Sequence, residues 1–216
     1  MNPLLIIPGW GISPHCFQSI PNHRIPDFSY TADWHLDSAA WITYAKTHGP
    51  LDCLAFSLGG FMLSYWLPDL APYLKHIYLV GVCAHYDPKT ITRFKKTIAK
   101  NPTAVLDNFH AACFQNATEY QRFQHYFQPL CHTMWSGPDL IQGLAQLERP
   151  FHVKPLAEWP ALTLYHGHHD AVAPIHATRL FADRLNTECQ TLNAGHFPFL
   201  NTEFQQQLNQ HRTDNV

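Results

Sequence analysis

Charge is scarce in this chain. Asp, Glu, Lys and Arg together make up 14% of its 216 residues, against about 25% in an ordinary soluble domain. With a formal net charge of −2 there is no broad basic field to hold a phosphate backbone, so a nucleic-acid partner is not expected. Long apolar runs are also missing. No stretch approaches the roughly 20 residues needed to cross a bilayer, and no membrane partner is expected. Met1-Asn2-Pro3 carries no basic segment, and the run Leu4–Ile7 is too short for the core of a secretory leader. CxxC pairs are absent: the six cysteines stand singly at 16, 53, 83, 113, 131 and 189. They read as reduced, mostly buried thiols of a cytoplasmic protein. Internal repeats and low-complexity blocks are absent too.

What remains is a sequence with 46% hydrophobic residues and 16 histidines. Its length suffices for one sizeable core and at most a small subdomain. Short apolar runs alternate with helical patterns, which predicts strands and crossover helices around a mostly parallel sheet. Strands are expected at 4–7, 28–31, 51–56, 76–82, 161–166 and 189–192. Helices are expected at 39–47, from Ser57 until just before Pro68, at 176–185, and from Asn201 onward. The polar tail 209–216 is expected to fray. Residues 86–150 differ, with helical patterns rich in Phe, Gln and Tyr, punctuated by Pro88, Pro102, Pro129 and Pro138. They predict a helical lid subdomain set into a core formed by 1–85 and 151–216.

Leu51-Asp52-Cys53-Leu54-Ala55-Phe56-Ser57-Leu58-Gly59-Gly60 is the most informative segment. An apolar strand runs into Ser57 and out into a helix, the context in which a sharp turn thrusts a serine hydroxyl outward as a nucleophile. Ala55 and Gly59 are small enough to let strand and helix approach, although the pattern is A-x-S-x-G rather than G-x-S-x-G. The plainer alternative makes Ser57 a helix N-cap.

Two later segments favour the nucleophile. Asp170 follows the apolar strand at 161–166, and His196 follows the strand at 189–192. Ser, Asp and His in that order, each after a strand, form the catalytic order of α/β-hydrolases. His196 would serve as base and Asp170 as the acid that orients it. Leu58, just after the nucleophile, would supply one oxyanion N–H. Trp10, in the turn Gly9-Trp10-Gly11, would supply the other. The run His166, His168, His169 raises the alternative of a metal site, but it has no partner cluster at ligand spacing. No metal and no cofactor are expected. A catalytically dead binding module would lack a triad member, and none is missing.

Gly9-Trp10-Gly11, Phe56-Ser57-Leu58-Gly59-Gly60 and the stretch from Asp139 through Trp159-Pro160 to Asp170 resemble the BioH-type pimeloyl-acyl-carrier-protein methyl ester esterases. The resemblance implies an α/β-hydrolase fold with a helical lid, a Ser57–His196–Asp170 triad, and oxyanion donors at Trp10 and Leu58. It implies aromatic substrate walls at Phe56 and Phe109, and an acyl carrier protein as partner. That carrier would be met by basic lid residues drawn from Arg93, Lys95, Lys96, Lys100 and Arg122. Pro8 departs from the family's usual His, and the basic residues do not align cleanly with its carrier-binding arginines. The fold's leading hairpin is expected to be absent and the protein to be a monomer. A general short-acyl carboxylesterase, or a MenH-like lyase of the same fold, would use the same three residues.

Overall fold

A computed structural model describes residues 2–26, 34–151 and 159–214; the strand expected at 28–31 falls outside them. The chain begins with β1 (Leu4–Ile7), the two-residue β2 (His23–Arg24), α1 (Trp34–His48), β3 (Leu51–Phe56), α2 (Leu58–Leu70) and β4 (Leu74–Val80). Five helices follow without an intervening strand among the described residues: α3 (Pro88–Ile98), α4 (Pro102–Ala112), α5 (Ala117–Tyr126), α6 (Gln128–Met134) and α7 (Gly137–Gln146). The sheet then resumes with β5 (Ala161–Gly167), α8 (Ile175–Arg184), β6 (Cys189–Leu192) and the final α9 (Thr202–Asp214).

The strands form one sheet in the order β2-β1-β3-β4-β5-β6, and every pair is parallel. Layers on both faces leave no solvent side, so β1 and β3 are buried along their whole length. β4 pairs directly with β5, so the five intervening helices interrupt the sequence and leave the sheet whole. From β1 the chain moves outward to β2, then returns to the other side of β1 as β3. That reversal opens a crevice beyond the carboxyl ends of β1 and β3, where ligands bind in open parallel sheets.

Each proline singled out between 86 and 150 lies in the first turn of a helix: Pro88 in α3, Pro102 in α4, Pro129 in α6 and Pro138 in α7. There its missing N–H removes no bond. Asp87, Asn101, Asn116 and Ser136 cap α3, α4, α5 and α7. Pro68 behaves otherwise than expected. It sits inside α2, which continues to Leu70, because the buried residues Trp66, Leu67 and Leu70 hold the last turn in the core.

The tail corrects a second expectation. α9 runs to Asp214, and Arg212 within it is fully buried. Its guanidinium donates to the carbonyls of Pro21 (3.0 Å) and Asn2 (2.9 Å), with Asp52 at 3.8 Å. The segment reads as polar because its anchor is a cation that finds partners only in the tertiary fold. Arg212→Ala leaves Asp52 buried beside a void and should cost about 2–3 kcal/mol. A urea midpoint that falls accordingly at unchanged slope checks this; an unchanged midpoint would contradict it.

Candidate active site

Ser57 occupies the first position past β3 with φ +50° and ψ −116°, a conformation that costs a non-glycine residue about 1–3 kcal/mol. No capping hydrogen bond comes from its side chain, so the N-cap alternative fails. The turn is tight because α2 starts against the end of β1: a Cβ on Gly59 would lie 2.2 Å from the carbonyl oxygen of Ile7. Strain at Ser57 and the need for glycine at 59 thus have one cause.

The Ser57 hydroxyl lies 3.0 Å from His196 Nε2, and His196 Nδ1 lies 2.7 Å from Asp170 Oδ2. A carboxylate only accepts, so Nδ1–H donates to Asp170 and the bare Nε2 accepts from Ser57. Asp170 and His196 side chains are closed to solvent. The other carboxylate oxygen, Oδ1, accepts from the N–H groups of Val172 (2.8 Å) and Ala173 (2.7 Å). Burial alone would raise the Asp170 pKa. The charge and hydrogen bond of His196, with help from His166 and Ala173, outweigh it and hold the carboxyl below its usual range.

His166 was not anticipated as part of this arrangement. Its Nε2–H donates to the Ala173 carbonyl at 2.7 Å and lies 3.4 Å from Asp170 Oδ2. It braces the turn that carries the acid. Among the described residues, no set of three or more His, Cys, Asp or Glu side chains is grouped to hold a metal ion.

A cavity of about 380 Å³ opens above Ser57, lined by Trp10, Tyr86, Ile91, Phe109 and Leu144 among others. Its far walls come from α3, α4 and α7, which roof the site. Trp10 is fastened to that roof, its indole N–H donating to the Leu140 carbonyl at 2.7 Å. Phe109 stands edge-on to Trp10 with centroids 4.8 Å apart. Gly11, at φ +67°, takes a turn that an L side chain would strain. Leu58 opens α2, so its N–H has no partner within the helix.

Other expected residues fall differently. Phe56 is not on the cavity wall. It is fully buried beneath the His196 ring (centroids 5.0 Å apart), against Phe17, Phe197 and Phe199. Strand alternation turns it into the core rather than toward a ligand. Lys95 pairs with Glu148 at 2.8 Å, tying α3 to the chain after α7. Arg93 stands at the cavity edge and also lines a shallow depression with Lys89 and Lys96. Lys100 is exposed just past α3, whereas Arg122 is exposed on α5 beside Glu119. These basic residues therefore do not form one set.

No protein-family model and no curated protein sequence matches the chain. Solved structures do. An esterase from Exiguobacterium antarcticum superposes with a TM-score of 0.80 at 16% identity, covering 98% of this chain and 91% of that one. A bromoperoxidase from Bacillus anthracis gives 0.79 at 15% identity, covering 99% and 91%. MGS-M2, an α/β-hydrolase from a deep-sea metagenome library, gives 0.74 at 14%, covering 96% and 87%. The chain has the α/β-hydrolase fold. Among the described residues no helix is long and apolar enough to cross a membrane.

Proposed function

We propose that the protein is a serine carboxylesterase, with Ser57 as nucleophile, His196 as base and Asp170 as orienting acid. The observation that carries this reading is the continuous hydrogen-bonded line Asp170–His196–Ser57 ending on a strained turn beneath an apolar cavity. As Ser57 Oγ attacks an ester carbonyl, His196 Nε2 takes its proton, and the N–H groups of Leu58 and Trp10 receive the oxyanion. His196 then protonates the departing alkoxide. In the second half it takes a proton from water, which attacks the acyl-enzyme, and returns that proton to Ser57 Oγ as the acyl bond breaks.

The specific substrate we propose is the methyl ester of a pimeloyl chain borne on acyl carrier protein. The family resemblance supports it, as does an apolar cavity walled by Phe109, Ile91 and Leu144. The roofing helices then act as a lid, and Lys96 and Lys100 offer exposed cations to an acidic carrier. Methanol release from pimeloyl-acyl-carrier-protein methyl ester is the direct assay. The double variant Lys96→Glu, Lys100→Glu is expected to lower kcat/KM on the carrier ester by about tenfold or more while sparing dimethyl pimelate. Equal loss on both substrates would remove the carrier from the proposal. Cleavage of p-nitrophenyl acetate with none of the carrier ester would leave a general short-acyl esterase.

A further inference from the structure

We propose that Tyr86 contacts the substrate at this site, its phenolic O–H donating to the bridging oxygen of the scissile ester. The inference rests on the esterase reading above. Tyr86 lies between β4 and α3, its ring 5.9 Å from that of Phe61 in α2, and it lines the same cavity as Ser57. Its hydroxyl is shielded from solvent and makes no hydrogen bond of good geometry; the Ser57 hydroxyl and the Cys83 thiol are the polar groups within its reach. Cys83 directs its own S–H to the His85 carbonyl at 3.4 Å. A buried donor without a well-formed partner destabilises the free protein, and its position beside the nucleophile suits an acceptor that arrives with a ligand.

The acceptor follows by elimination. An acyl centre bonded to Ser57 Oγ carries three further substituents. The carbonyl oxygen belongs to the N–H groups of Leu58 and Trp10, and the acyl chain begins with a carbon that accepts nothing. Only the bridging oxygen remains, and negative charge grows on it as the carbon–oxygen bond breaks. A donor placed there stabilises the departing alkoxide while His196 delivers the proton. In deacylation the attacking water occupies the same place. Burial, followed by the nearby Cys83 and Asp170, pushes the Tyr86 phenol well above its ordinary value, so it stays protonated, and able to donate, at neutral pH.

Tyr86→Phe keeps the ring against Phe61 and deletes only the donor. In the full chain, kcat/KM should be measured for methyl, phenyl and p-nitrophenyl esters of one acyl group. The methyl ester is expected to lose about tenfold to a hundredfold. The p-nitrophenyl ester, whose leaving group needs little help, should lose less than about threefold. The ratio of the two rates is internal to each preparation, so any unfolded fraction cancels. An equal loss across the series, or none, overturns the role of Tyr86. Should neither wild type nor variant cleave any ester or take a fluorophosphonate label, it is the esterase reading that fails.

Discussion

Ser57→Ala is expected to lower kcat/KM for a p-nitrophenyl ester by about a millionfold, the loss seen when a serine nucleophile is deleted from an otherwise intact triad. The residue left over cannot form the acyl-enzyme, because it lacks the hydroxyl that His196 Nε2 activates. Slow turnover should persist, because the cavity and the oxyanion N–H groups remain. Stability should barely move, since alanine inherits the positive φ that Ser57 already bears. Ser57→Gly, by contrast, relieves that strain and is expected to be more stable by about 1 kcal/mol, though equally inactive. Progress curves at high enzyme concentration, read beside fluorophosphonate labelling, check the first expectation. Activity retained above about one per cent, or a label kept by the variant, would place the nucleophile elsewhere.

How much of this was legible in the sequence depended on whether a residue's role is local. β1 and β3 appear as short apolar runs because burial in the sheet is written along each strand itself. Ser57, Asp170 and His196 could be found because each follows such a run, and a parallel sheet gathers strand ends at one edge. β2 has only two residues, paired through Leu4–His23 and Leu5–Arg24, too few for any periodicity. Arg212 looked like tail polarity because its partners lie near the start of the chain. The family resemblance puts Phe56 on the substrate wall, yet its side chain at the end of β3 is fully buried in the core. Tyr86 carries no pattern, and His166 stands out only in a histidine run that points to a metal rather than to the triad acid. Their significance lies in what stands opposite them, the cavity beside one and a carboxylate beside the other.

Asp170→Asn is expected to lower kcat/KM by about ten-thousandfold with the fold retained, and the hydrogen bonds around Asp170 say why. Oδ1 accepts from two backbone N–H groups, those of Val172 and Ala173. An asparagine must keep its carbonyl oxygen there, which turns its NH₂ toward His196. That amide then donates to Nδ1, so the neutral imidazole carries its proton on Nε2 and can no longer accept from Ser57. The base is present but in the wrong tautomer. Stability supplies an independent reading. The folded-state pKa of Asp170 is depressed, so the unfolded chain takes up the proton first as the pH falls. The stabilisation is complete above the unfolded value of about 3.9 and fades as the pH drops through the folded value. The wild type's advantage over Asp170→Asn in urea unfolding should therefore be larger at pH 7 than below about pH 3.5. A gap that does not narrow in acid would mean that the carboxylate charge contributes nothing to the fold, and full activity in the variant would mean that His196 needs no orienting acid.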